Sequence, residues 1–286
     1  MPTEPRIVPA RTLGDPRRLE PLARQIFGPG DRPAGWFSRK LRRERVDPDL
    51  SPVAIEADAP AHDPAGWLGY VLVGTPPSRG DAVRTAGTGV QPRARGQGVG
   101  GRLLETVIRW SRDAGYRRVE LLAEHATLPF YRRHGFSSRH PTVTAVAFGH
   151  GTRTAWVPPP PWGELGPQEH EPVAWLPETW AGTERTHRRG LRWPTRAGPV
   201  TAWISQEGVA WLVQRLVAPR SVPLTYLAAT LRAQIPLAAP LVLPLLPADA
   251  PQTRALLDMG WSVAQRGALL ECRLDPRIDL PTMPPS

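Results

Sequence analysis

The stretch Arg93–Leu104 reads RARGQGVGGRLL and places four glycines, Gly96, Gly98, Gly100 and Gly101, within six positions. Glycine removes the Cβ that would keep a ligand from the backbone, and it reaches turns that other residues avoid. Arginines open the stretch and an apolar-periodic segment closes it, which is the composition of a loop feeding a helix N-terminus. The first amides of a helix have no intrahelical partner and the helix dipole favours negative charge there, so such a loop can hold an anion. Arg95 and Arg102 add cationic donors, and a charge-assisted hydrogen bond contributes about 1.5–3 kcal/mol. Downstream, VELLAEHATLPFYRRHGF (Val119–Phe136) carries further chemistry in Glu124, His125 and the phenol of Tyr131.

Three kinds of phosphate loop compete for the glycines. A nucleoside-triphosphate P-loop needs a lysine after its last glycine, and Lys40 is the only lysine in the chain. Gly96, Gly98 and Gly101 match the dinucleotide pattern letter for letter, with Glu124 at a plausible distance for a ribose contact. That fingerprint, however, follows directly from a buried strand at the start of its domain, whereas here QPRAR intervenes and several elements precede it. The third reading is a strand–loop–helix whose backbone amides cradle a pyrophosphate.

The elements that would position these residues alternate strand and helix before residue 150. Arg6–Thr12 reads as a strand. Asp15–Phe27 reads as a helix with Asp15 as N-cap and Pro16 in the first turn. Trp36–Arg45 is a strongly basic helix. Strands are expected at Val53–Ala57, Trp67–Gly74 and Ala82–Val90, and then comes the glycine loop. Gly100–Ala114 is a helix ended by Gly115 as C′, Arg118–Ala123 a strand, Leu128–His134 a short helix and Thr142–Phe148 a strand. Pro158–Pro161 reads as a stiff linker piece, and eight of the 11 tryptophans lie beyond residue 150. Leu241–Trp261 can be laid on Val119–Phe136 as a weak internal repeat, followed in each case by a strand, the second at Ala268–Leu274. The second copy has no glycine loop: RLVAPRSVPLTYLAATL (Arg215–Leu231) stands in its place. The expected division is residues 1–152, a linker or start of a second domain over 153–198, and 199–286.

Composition narrows the functional classes. A hydrophobic fraction of 41% and a charged fraction of 22% are those of a soluble globular protein. The N-terminus has no apolar signal region, and Ile235–Leu246 is too short and proline-broken to span a bilayer. Cys272 is the only cysteine, so no internal disulfide or cysteine-rich metal site is expected, which suits a reducing cytoplasm. The net charge of +10 is nearly all arginine, spread along the chain. It fits a GC-rich coding sequence or a phosphorylated ligand, and it lacks the aromatic-interleaved basic repeat of a nucleic-acid binder.

With these residues laid out, VQPRARGQGVGGRLL resembles the acyl-CoA-binding motif of the GNAT acyltransferase superfamily, with Arg95, Gly98 and Gly100 on its core and Val90 and Pro92 in its approach. FYRRHGF resembles the second signature of that superfamily. The resemblance is firm over Ala82–Phe136. It implies an α+β fold with a mixed sheet, a GNAT domain followed by a degenerate GNAT-like copy. The strand before the loop would splay from the strand after the helix, and the pantetheine arm of acetyl-CoA would lie in that wedge. Gly89, Val90, Arg95, Gly96, Gln97, Gly98, Val99, Gly100 and Arg102 would bind the cofactor.

By the same resemblance Tyr131 would protonate the CoA sulfur, and the Val90 amide would polarise the carbonyl. The strand before the loop lacks the glutamate that many members use as base. Glu124, His125 or a water relay would serve, with Glu56 a weaker candidate. The implied activity is N-acetylation of a primary amine on a small molecule or peptide, by a monomer or homodimer with no metal, no membrane and no nucleic acid. The basic helix Trp36–Arg45 would favour a carboxylate-bearing acceptor. The alternatives are a non-catalytic acyl-CoA-binding protein and, on charge alone, a nucleic-acid binder.

Overall fold

The computed structural model describes residues 4–28, 34–75, 80–148, 163–164, 188–236 and 238–274. Pro158–Pro161 and most of the expected linker lie outside them. All the described strands join one sheet in the order β1-β2-β3-β4-β5-β12-β6-β11-β10-β9-β8-β7. The strands are β1 (Arg6–Pro9), β2 (Pro52–Ile55), β3 (Trp67–Gly74), β4 (Ala82–Val90), β5 (Arg118–Glu124), β6 (Ser137–Ala147), β7 (Gly163–Glu164), β8 (Arg188–Thr195), β9 (Gly198–Glu207), β10 (Ala210–Val217), β11 (Leu241–Pro247) and β12 (Ser262–Arg273). The helices are α1 (Glu20–Phe27), α2 (Trp36–Arg43), α3 (Val99–Asp113), α4 (Leu128–Arg133), α5 (Leu224–Arg232) and α6 (Pro251–Asp258).

β3 and β4 begin and end where the sequence pattern sets them. The expected first helix differs: Asp15 caps a 3₁₀ turn, Pro16–Leu19, before α1 starts at Glu20. The capping itself is present, since the Asp15 side chain accepts from the Arg17 amide at 2.9 Å. β6 and β12 are longer than their apolar segments suggest, because the polar half of each pairs with the apolar half of the other.

β3 carries WLGYVLVG and is buried along its whole length, as a strand covered on both faces must be. On one face Leu103, Leu104, Val107 and Ile108 of α3 pack with Val71 and Val73. Their spacing is the 3.6-residue period of an amphipathic helix. On the other face α1 and α2 bring Leu22, Ala23 and Phe37 against Trp67, Tyr70 and Leu72. The α3 crossover joins β4 to β5, which run parallel.

The two halves exchange strands. β12, from the C-terminal end, lies antiparallel between β5 and β6, so Ala268, Leu270, Cys272 and Leu274 complete the core of the first half. β6 in turn pairs with β11, and its Ala145 and Ala147 belong to the core of the second half. At this seam Glu120 of β5 stands directly opposite Glu271 of β12, and both are buried. Like charges facing across strands repel, and three arginines offset them. Arg118 Nε lies 3.1 Å from Glu120, and Arg139 of β6 lies 3.9 Å from Glu120 and 3.3 Å from Glu271. Arg273 Nε lies 3.5 Å from Glu271.

Leu270 is fully buried, and truncating such a leucine costs about 2–5 kcal/mol. The exchange predicts that Leu270→Ala lowers the stability of both halves in one cooperative denaturant transition, followed by tryptophan fluorescence. Two separable transitions with the first half unmoved would contradict it.

Candidate functional site

β4 and β5 pair only through Ala82–Arg84 and Arg118–Glu120. Beyond Arg84 they have no shared ladder, so the edge of β4 toward Val90 is open on the β5 side. The glycine loop begins where that edge ends. Gln91 N–H donates to Leu68 O at 2.8 Å, tying the start of the loop to β3. Arg95 Nε donates to Val90 O at 3.1 Å, and Gln97 Nε2 donates to Arg93 O at 2.8 Å. These bonds hold the loop from within while Arg95, Gly96, Gln97 and Gly98 stay exposed.

Gly98 caps α3 in the left-handed region with φ 76°, and a Cβ placed on it would meet nothing within 4 Å. Space lies in front of it, and only backbone conformation demands glycine. Val99 is buried under the first turn, and the leading amides of α3 lack intrahelical acceptors. An anion in that space would therefore meet N–H groups and the positive end of a 15-residue helix. Arg102 Nη1 is 3.0 Å from Glu4 Oε1, which directs it to the N-terminal segment.

Gly100 and Gly101 explain why α3 and α4 sit so close. A Cβ on Gly100 would lie 3.5 Å from the Phe130 ring and 3.6 Å from Val90. One on Gly101 would lie 3.0 Å from His134, tighter than ordinary contact. The loop, the end of β4 and α4 thus converge at one point. In α4 the rings of Phe130 and Tyr131 are edge-on at 5.1 Å, and Tyr131 meets Phe136 in the same way at 5.9 Å.

Tyr131 is 9% exposed. Burial pushes its phenol above the ordinary value, and the Glu124 charge adds to the rise. The Thr88 hydroxyl makes no hydrogen bond of good geometry within the protein, yet it lies close enough to the phenol to pull the pKa partly back. Tyr131 therefore keeps its proton through neutral and mildly alkaline pH.

Glu124 ends β5 exposed, and its Oε1 accepts from Gln265 Nε2 of β12 at 3.2 Å. His125 starts an exposed 3₁₀ turn beside it. Glu56 lies elsewhere, ion-paired with Arg93 at 2.5 Å on the outer side of the loop. Among the described residues no group of His, Cys, Asp and Glu is arranged to hold a metal ion. No helix among them is long and apolar enough to cross a membrane.

Thr88 and Gln265 lie against Tyr131 and Glu124 and were not among the residues expected from the sequence. Thr88 had a usable signal, since it stands two residues before Val90 on the same strand. Gln265 had none, because only the strand exchange brings it to Glu124.

Residues 19–136 match the model of the acetyltransferase (GNAT) family. This segment is a GNAT domain. Solved structures similar to the chain carry the same fold through both halves. A GCN5-related N-acetyltransferase from Sphaerobacter thermophilus aligns with a TM-score of 0.66 at 16% identity, over 97% of this chain and 98% of that one. A putative acetyltransferase from Pyrococcus horikoshii gives 0.62 at 12% identity, over 95% and 90%. A tandem GNAT protein from the clavulanic acid biosynthesis pathway gives 0.59 at 13% identity, over 96% and 99%. No curated protein sequence matches the chain. The fold is thus a GNAT domain followed by a GNAT-like second copy on one mixed sheet.

His134 supports a prediction about stability. Burial lowers its pKa from the usual 6.5, with Arg133 lowering it further and Glu105, 3.7 Å away, opposing. A depressed pKa means the unfolded chain binds the proton more tightly, so the stability linked to neutral His134 is present above about pH 6.5 and lost as pH falls below it. Urea midpoints at pH 7.5 and pH 5 should differ less in His134→Gln than in the wild type.

Proposed function

We propose that the protein is an acyl-CoA-dependent N-acyltransferase, with acetyl-CoA as donor, a primary amine as acceptor and its site in the first half. The carrying observation is the open edge of β4 running into the exposed cap of α3, with Tyr131 at the closed end. Bound acetyl-CoA supplies an activated thioester. Gly96, Gly98, Val99 and Gly100 would hold its pyrophosphate through backbone amides, and Gly89 and Val90 would receive the amides of its arm along the free strand edge. The Val90 N–H would polarise the carbonyl. Tyr131 would give its proton to the departing sulfur, a role that the raised phenol pKa supports. Glu124, oriented by Gln265, would take the proton of the acceptor ammonium, and exposed His125 is the alternative acceptor of that proton.

The acceptor class draws on α2, whose sequence WFSRKLRR carries four basic residues, half-buried except for the exposed Arg42. Lys40 Cε lies 3.7 Å from where a Cβ on Gly87 would stand, so the basic helix borders the middle of β4. A carboxylate-bearing amine, such as an amino acid or a peptide, suits that border. The reducing cytoplasm is the proposed compartment, with the boundaries at 152 and 199 as the working division of the chain.

Calorimetry with acetyl-CoA, followed by thiol release against an amine panel, tests this reading. Gly98→Glu should abolish acetyl-CoA binding, because it adds bulk and negative charge where the anion would sit and strains a position with φ 76°. Binding retained in Gly98→Glu would remove the pyrophosphate assignment. Tyr131→Phe should lower turnover about 10²-fold or more with acetyl-CoA affinity nearly unchanged, and the alkaline loss of activity expected of the wild type should vanish with it. A preference for polycationic amines would overturn the acceptor class, and acetyl-CoA binding without thiol release in the presence of any amine would leave only acyl-CoA binding.

A further inference from the structure

The second half repeats the open wedge of the first. β10 and β11 pair in parallel only at Trp211–Leu241 and Leu212–Val242, and then part. Between them and α5 lies a cavity of about 600 Å³, within the size range of small-molecule sites. Its walls are largely apolar, with Val213, Leu227, Leu243 and Leu246 among them.

Two features mark it as more than a packing gap. Gln214 lines the cavity and is 7% exposed, standing in a bulge where β10 slips against β9. Its Nε2 donates to Ser205 Oγ at 2.6 Å, which fixes the amide, while its Oε1 is buried with no hydrogen-bond partner. A buried orphan acceptor is costly, and its occurrence in a native fold calls for a donor. On the opposite wall Leu245 holds φ 60°, a strained conformation for a large residue and one that clusters at ligand sites.

The chemistry of the lining selects the ligand. The connection from β10 to α5 reads APRSVP (Ala218–Pro223). Pro219 and Pro223 have no N–H to offer, and this connection holds no glycine. Pro223 caps α5 where Gly98 caps α3, so the glycine-lined approach that opens the first wedge to a pyrophosphate is not repeated here. The charged side chains in the lining are Arg215 and Arg220, with no carboxylate among them; Arg215 stacks on Trp203 at 5.1 Å and Arg220 is exposed. The site thus has an apolar interior, one buried acceptor and a cationic mouth.

We infer that the C-terminal wedge is a second binding site, for an extended anionic amphiphile with an amide N–H, of the N-acyl amino acid class. The acyl chain fills the apolar interior, the amide N–H donates to Gln214 Oε1, and the carboxylate meets the arginines at the mouth. An amide is favoured over a hydroxyl because β10 beyond Leu212 has a strand edge free of β11, along which a flat amide can lie.

Titration of the full chain with N-octanoylglycine, followed by calorimetry and tryptophan fluorescence, tests the inference. Binding is expected, with at least a tenfold loss for N-octanoyl-N-methylglycine, which lacks the N–H, and for octanoate, which lacks the amide. Gln214→Leu should erase the difference between the N–H and N-methyl probes. If that variant fails to fold, the probe series on the wild type decides alone. Equal affinity for both probes, no binding, or displacement of the probe by acetyl-CoA would each overturn the second site. Gly98→Glu should still bind N-octanoylglycine, so failure of the acyl-CoA reading and failure of this one give different results.

Discussion

β12 between β5 and β6 is the contact on which the rest of the molecule depends. Without it β5 would end the first half as an apolar edge, and a free edge of that kind pairs with whatever strand it meets. The exchange closes both edges at once, since β6 goes to β11 as β12 goes to β5. Polar chemistry then adds specificity to it. Glu120 and Glu271 face one another at one register position, and Arg139 of β6 lies near both. A slip by one residue would separate the glutamates from the arginines and turn every side chain of β12 to the wrong face. Apolar burial favours the exchange, while the charge cluster selects its register.

That contact also fixes the floor of the first wedge. β5 carries Glu124 at its end and leads into α4 with Tyr131, so the pairing that anchors β5 positions both groups relative to β4. Gln265 reaches Glu124 from the same inserted strand. The second copy therefore contributes to the first site through its backbone register and one amide side chain, although it lacks a glycine loop of its own. Functional side chains are best held by regular elements that are themselves packed, and the strand supporting β5 comes from the far end of the chain.

Local features of the molecule were readable in the sequence. Trp67–Gly74 and Ala82–Val90 were legible because they are apolar runs bounded by polar loops, and α3 because its apolar positions recur at helical spacing before Gly115. Gly98, Val90 and Tyr131 were legible as a constellation because each occupies a motif position. The strand exchange was hidden, since Thr142–Phe148 and Ala268–Leu274 read as closing strands without stating which sheet they close. The polar ends of β6 and β12 carry no apolar signal, yet each is held as strand by pairing with the apolar half of the other. Gln265 and the orphan acceptor on Gln214 depend on contacts across the whole chain, which no local pattern encodes.

The two wedges show how one backbone device can be turned to different ligands. Both arise from parallel strands that pair briefly and part, and in both the diverging strand carries a bulge against its antiparallel neighbour, beside Ala86 in β4 and at Gln214 in β10. The bulge shifts side-chain parity, so the same device presents Thr88 next to Tyr131 in one half and Gln214 to the cavity in the other. What differs is the turn into the following helix. Glycines there let an anion approach the backbone closely, whereas the second copy enters its helix through Pro219 and Pro223, with no glycine between them. A site without the glycine loop retains an apolar slot with one oriented acceptor. Loss of the glycine loop therefore changes what the slot can hold without requiring that the slot close, and a cavity of about 600 Å³ has stayed open.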